Sequence, residues 1–239
     1  MAQETPQERK VSPLLFLLTA VTGLVDAVSY IALGHVFTAN MTGNIVFLGF
    51  ACAGTPGLSV PRSLTALAAF LVGALIGGSL ATSLAPISSS RWTTAAFGSE
   101  ALFLLGATVA SVGYHSPSGD VTRLYAVIVL TALAMGVRNA TVRKLAVSDL
   151  TTTVLTLTIT GLAADSSLAG GTNPRWQRRV LSIVLMFIGA AAGALLLKHS
   201  VALPLGVATA SAVCGVAAFY GKREELGAVA DAKERRTSG

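Results

Sequence analysis

Asp26 stands inside an otherwise uncharged run, residues 13–33, and Arg138 lies near the end of another, residues 122–141. An ionised side chain at the centre of a membrane helix costs about 2.5–3.5 kcal/mol, so neither group can face lipid. Each requires a partner, a proton or a wet cavity. Pairing Asp26 with Arg138 would meet both needs, and the pair would either lock two helices together or serve as a gate or proton relay. A second set of candidates is polar and mostly uncharged. In FTANMTGNIVFLGF, residues 37–50, Asn40, Thr42, Gly43 and Asn44 supply amides, a hydroxyl and a flexible glycine where a short apolar run begins. VSDLTTTVLTLTIT, residues 147–160, offers Asp149, Thr151, Thr152 and Thr153 in the same way, and Asn139 adds an amide beside Arg138. A helix that starts at such a place presents unpaired N–H groups and a positive dipole end, which suits a small polar or anionic solute. The plainer alternative is that Thr42, Asn44 and Thr151 cap their own helices, with Thr156, Thr158 and Thr160 bonding back to the backbone.

The elements that must carry these residues are membrane helices. Hydrophobic residues make up 53% of the 239, charged residues 12%, and mean hydropathy is +0.70, outside the balance of a soluble domain. Of the 28 formal charges, four lie in residues 1–11 and nine in residues 221–239. The basic residues fall between apolar runs rather than in a patch with aromatics, so the pI of 9.7 does not indicate a nucleic-acid partner. Cys52 and Cys214 lie in apolar segments without ligand spacing and read as packing residues. His35, His115 and His199 are separate loop residues, so no metal is predicted. No catalytic triad, phosphate loop or cofactor fingerprint stands out, and neither an enzyme nor a cofactor is expected.

Six runs are long enough to cross a bilayer, which takes about 20 residues of helix: residues 13–33, 64–85, 94–114, 122–141, 180–197 and 201–220. The first exceeds a signal-peptide core and reads as a retained span, starting at Ser12–Pro13 and ending at Gly34. Trp92, Trp176, Tyr114, Tyr125 and Tyr220 fall at run ends, at headgroup level. Residues 44–53 and 151–164 are apolar but short, and read as half-helices, re-entrant segments or tilted spans.

Thr42 and Leu48 match Thr151 and Leu157 at a separation of 109, and Arg62, Gly73, Ala74 and Gly77 match Arg178, Gly189, Ala190 and Gly193 at 116. The pattern predicts two related halves, residues 13–114 and 122–220, in one membrane domain of residues 13–220. Residues 1–12 form a cytoplasmic tail, and residues 221–239 a charged, disordered cytoplasmic tail. At a separation of 109 Arg138 matches Ser29, one turn beyond Asp26, which is the ground for pairing the two charges. The expected fold is an all-α integral membrane bundle of six full spans plus two short or re-entrant helices, with eight spans as the alternative. The six-span arrangement keeps Arg91, Arg143, Lys144, Arg175, Arg178 and Arg179 inside, which fits the positive-inside rule better. The four-residue glycine spacings allow close helix packing within the chain, and the same spacing serves a homodimer.

GLVDAVSYIALGHVFTANMTGNIVFLG (residues 23–49), VRNATVRKLAVSDLTTTVLTLTITGLAADS (residues 137–166) and the following NPRW (residues 173–176) stand in an order that resembles the YoaK family of bacterial multi-pass membrane proteins. The resemblance covers nearly the whole chain between the tails. It implies a bacterial cytoplasmic membrane protein, supplies no substrate and implies no known catalytic residues. The sequence therefore predicts a small-solute transporter or permease in the lipid bilayer, or else a non-transporting membrane interaction or regulatory protein.

Overall fold

In the computed structural model, residues 6–114, 119–145 and 155–217 are described. They form α1 (Pro6–Ala32), α2 (Met41–Cys52), α3 (Val60–Leu84), α4 (Ser89–Ala110), α5 (Val121–Leu145), α6 (Leu155–Ala164), a 3₁₀ turn (Ser167–Ala169), α7 (Trp176–Leu197) and α8 (Ala202–Ala217). The described residues contain no strand. Five helices are long and apolar enough to cross a membrane: α1 from Pro13, α3, α4 from Ser90, α5 and α7. Over its described length α8 is a shorter apolar helix. The chain is an α-helical, multi-pass membrane bundle. Residues 1–5 and 218–239, which hold part of the predicted N-terminal tail, the whole of the C-terminal one and Tyr220, lie outside the described residues, as does His115.

Local chemistry sets the helix ends. Ser59 and Ser88 accept the backbone N–H groups of Arg62 and Arg91 at 3.5 and 3.4 Å, capping α3 and α4. Gly34, at φ +82°, turns the chain out of α1 where a Cβ would be strained. The predicted start at Ser12 is corrected: α1 continues back to Pro6 with Pro13 inside it. A proline there removes the bond to the residue four before it, a loss confined to the first turns.

Helix directions follow from close contacts. Gly23 packs on the backbone of Met186 and Ala190, and Gly193 packs on Leu24 and Ala27, so α1 and α7 run parallel. Gly73 packs on Leu133, and Gly77 on Val137 and Ala140, so α3 and α5 also run parallel. A side chain on Gly73 or Gly189 would collide with the carbonyl of Leu133 or Ala20. In lipid, where apolar burial gives helices little drive to associate, such close backbone packing supplies the cohesion. Gly23, Gly73, Gly77, Gly189 and Gly193 are all buried inside the chain.

In contrast, α5 is antiparallel to α1 and α4. Arg138 lies level with Leu18 and Glu100, while Leu124 and Ile128 cluster with Val28, Leu33 and Tyr114. α8 is antiparallel to α4: Val201 and Leu205 pack near Tyr114 and Ala107, Ala208 and Ala212 near Leu104 and Ala101, and the Thr108 and Thr209 hydroxyls meet at 3.0 Å. Thus α1, α4 and α7 point one way, and α3, α5 and α8 the other.

This alternation decides the role of the short helices. α1 and α3 are antiparallel, and their adjoining ends meet: Arg62 donates to the Gly34 carbonyl at 3.4 Å, and His35 Nδ1 lies 3.4 Å from the Gly57 carbonyl. Since α2 leaves and returns on one side, it is re-entrant; a full crossing would have left α1 and α3 parallel. The same reasoning holds for α6, between antiparallel α5 and α7. Among the described residues, the alternating directions match the six-span arrangement rather than the eight-span alternative, with five helices of spanning length and α8 shorter over its described length. Arg91, Arg143, Lys144, Arg175, Arg178 and Arg179 gather at one end, and Arg62, Arg123 and Lys198 at the other.

Large apolar side chains such as Leu71, Leu75, Leu102 and Phe187 are exposed on the perimeter, as lipid-facing positions require. Two smaller expectations are corrected. Trp92 and Tyr114 sit at helix ends but turn inward, with Tyr114 donating to the Ala32 carbonyl at 3.2 Å, whereas Trp176 stays half-exposed. Cys52 and Cys214 are free and exposed rather than packed.

Candidate functional site

The loop after α1 folds back toward the middle of the bundle. Its Ala39 N–H donates to Asp26 Oδ1 at 3.1 Å, and the Asn40 N–H faces the same carboxylate. Asp26 is buried, and a carboxylate accepting backbone N–H groups is a stable way to hold non-helical chain at membrane depth. α2 starts immediately afterwards. Asn40 caps it by accepting the Gly43 N–H at 3.3 Å, leaving the Met41 and Thr42 N–H groups at its first turn without an intrahelical partner.

Asn44 does something else. It is fully buried; its Oδ1 accepts the Phe37 N–H at 2.8 Å and its amide donates to the Phe37 carbonyl. Both bonds tie the descending loop to the helix that follows it. Phe37, Phe47 and Tyr30 stack beside this clasp, with centroids 5.4–6.0 Å apart.

Two cavities flank the start of α2. One, of about 440 Å³, is lined by Asp26 and Thr22 of α1, by Asn40, Thr42, Gly43 and Phe47, by Leu155, Thr156 and Ile159 of α6, and by Met186 of α7. It is where the two short helices and the buried aspartate meet. The other, of about 700 Å³, lies between α2, α3 and α5, against Asn40, Thr42, Phe70, Ala74, Asn139 and Arg143. Residues 39, 40 and 42 line both.

Among the predicted residues, Asp26, Asn40, Thr42, Gly43 and Asn139 therefore border cavities, and Asn44 turns away. Asp149, Thr151, Thr152 and Thr153 lie outside the described residues. Arg138 does not pair with Asp26. Its Nε donates to Glu100 Oε1 at 2.9 Å, Nη2 contacts the same oxygen, and Nη1 reaches the Leu18 carbonyl and Thr22 Oγ1, both at 3.2 Å. Glu100 and Arg138 are wholly buried.

The physical reason is register. The close glycine contacts place Ala20, Leu24 and Ala27 of α1 in the role that Leu133, Val137 and Ala140 of α5 play on the other side, a constant shift of 113. The shift of 109 holds for the short segments but not for α1 and α5. At 113 Arg138 corresponds to Val25, inside the core, and the counterpart of Asp26 is Asn139.

Sequence reasoning passed over Glu100, although a lone acid in the run of residues 94–114 is the same signal that singled out Asp26. Thr22, one turn before Asp26 on the same face, could have been found by helical spacing. Met186 and Arg143 carry no local signal and were placed by packing alone. No group of three His, Cys, Asp or Glu capable of holding a metal occurs among the described residues.

Fold and site together define a multi-pass helical membrane protein with cavities, apolar-walled but bearing a few polar side chains, beside its short helices. The model of the DUF1275 family, described as "Protein of unknown function (DUF1275)", matches residues 14–220, and the chain belongs to that family. The chain is 36% identical over 157 residues to the UPF0700 transmembrane protein YoaK of Bacillus subtilis strain 168, an overlap of 64% of this chain and 66% of YoaK, just under two thirds of the relative. No solved structure matches.

Proposed function

We propose that the protein is a small-solute permease of the bacterial cytoplasmic membrane, with both termini in the cytoplasm. The observation that carries this reading is the cavity of about 440 Å³ in which Asp26, the first turn of α2 and the start of α6 converge. Interrupted helices at a buried polar site are the usual means by which transporters present backbone donors to a solute away from water. The gathering of six basic residues at one end supports the orientation, because cytoplasmic loops are the basic ones. Matched packing of α1 on α7 and of α5 on α3 supports an inverted duplication, with α1 to α4 related to α5 to α8. The solute is polar, the protein uses no cofactor and it is not an enzyme.

Uptake of a broad solute panel into liposomes holding the purified protein tests the reading. Flux that depends on the protein and falls in Asp26→Asn supports it; no flux for any solute overturns it. The competing role, a membrane interaction or regulatory protein without flux, draws on the wholly buried Glu100–Arg138 pair, a device that fixes helices rather than moving them. Stable co-purification of another membrane protein, with no flux, would favour that role.

A further inference from the structure

We infer that the solute is a small organic monocation, an ammonium group on an apolar body, held in the cavity of about 440 Å³ with its charge on Asp26. This rests on the permease reading. Among the described residues lining that cavity, Asp26 bears the only formal charge; α6 contributes Leu155, Thr156 and Ile159, and α7 contributes Met186. The cations of the surrounding helices are matched or distant. Arg138, behind Thr22, is paired with Glu100, and Arg179, between α6 and α7, with Asp165. Arg143 lies five residues beyond Arg138 on the side away from Asp26, where it lines the other cavity. The site therefore holds one negative charge without a fixed counter-ion, at a depth where lipid penalises it.

The hydrogen-bonding capacity left on α1 is that of acceptors. A carboxylate has about four acceptor positions, and the Ala39 and Asn40 N–H groups use two of those on Asp26. Thr22 donates its hydroxyl proton to the Leu18 carbonyl at 2.8 Å and accepts from Arg138, so it offers the cavity a lone pair and no proton. Both places suit an ammonium N–H, and the bond to Asp26 would be charge-assisted. The positive end of α2 opposes a cation, but it amounts to about half a unit charge against the full unit on Asp26. The walls decide between an organic cation and a metal ion. Hard metal ions want a close cage of oxygen ligands, whereas Val46, Ile159 and Met186 present hydrocarbon and a thioether, and Phe47 a ring. Those surfaces shelter an alkyl or aryl body, and a ring face attracts an ammonium. A neutral solute would leave the carboxylate without a counter-charge, and an anionic one would be repelled by it.

Thermal unfolding of the full chain in lipid nanodiscs would be followed with the chlorides of isopentylammonium, benzylammonium and tetramethylammonium. Isopentanol and isovalerate serve as the neutral and anionic counterparts, and sodium chloride at matched concentration as the metal-ion probe. At least one ammonium should raise the melting temperature in a saturable way, while isopentanol, isovalerate and sodium do not. Asp26→Asn should weaken half-saturation by about tenfold or more, and Asp26→Glu should restore part of it. Unliganded melting temperatures check folding. Thr156→Lys leaves the Ala39 bond to Asp26 untouched and sets a fixed ammonium on the exposed α6 wall, so it should abolish the shift by itself. The assignment is overturned if no ammonium binds, if sodium or either uncharged or anionic counterpart stabilises as well, or if the folded Asp26→Asn or Thr156→Lys protein binds undiminished. Liposome flux of a neutral or anionic solute without ammonium binding would sink the cation and leave the permease standing. Absence of all flux would sink the permease itself.

Discussion

Glu100 and Asp26 are both acids buried in membrane helices, yet their surroundings give them opposite work. Glu100 meets a guanidinium in a wholly buried setting, neither residue lining a cavity, and that guanidinium is braced by the Leu18 carbonyl and Thr22. Asp26 faces no fixed cation among its hydrogen-bond partners; it holds backbone N–H groups of a re-entrant loop and borders open volume. A charge with a matched, immobile partner is a fastening, and a charge held only by neutral donors keeps capacity for something that comes and goes. Thr22 joins the two regions, since its hydroxyl accepts from Arg138 while it lines the Asp26 cavity.

The contrast can be broken in four places. Glu100→Ala strands a buried guanidinium and should cost about 3–5 kcal/mol of stability, whereas replacing Glu100 and Arg138 together with methionine should recover most of that. Denaturant unfolding in detergent measures both, and a Glu100→Ala variant as stable as the parent would remove the fastening role. Asn44→Ala unties the Phe37 clasp and leaves buried backbone groups unpaired, for a loss of about 1–3 kcal/mol, with uptake per folded molecule retained. Asp26→Asn keeps an oxygen for the Ala39 N–H, so its melting temperature should hold while solute uptake drops about tenfold, roughly 1.4 kcal/mol in barrier. If stability collapsed and uptake per folded molecule persisted, Asp26 would belong with Glu100. Asn40→Ala removes one cap from α2 and should lower stability by about 1 kcal/mol, detectable as faster hydrogen exchange over residues 41–44.

Much of the architecture was legible in the chain because the bilayer imposes so strict a rule on composition. Helix lengths, the two short segments and the end-to-end charge bias all follow from the need to hide backbone polar groups and to leave basic loops on one side. Asp26, Asn40 and Thr42 were also visible, since polar residues in apolar runs are costly enough to stand out. The site was less legible where it depends on partners. Nothing in the spacing of Arg138 says whether it faces Asp26 or Glu100, because repeat separations differ between segments and an error of four residues is one helical turn.

The amino-acid sequence by itself thus determined an all-helical membrane bundle, two short helices with polar starts, and an acid that had to be sheltered from lipid, while leaving six spans or eight open. Tertiary structure alone decided which acid is fastened and which borders a cavity. The physical reason is that lipid penalises every buried charge alike, while the assignment of partners depends on helix rotation and register, which are set in the parallel pairs α1/α7 and α3/α5 by where glycines let backbones touch.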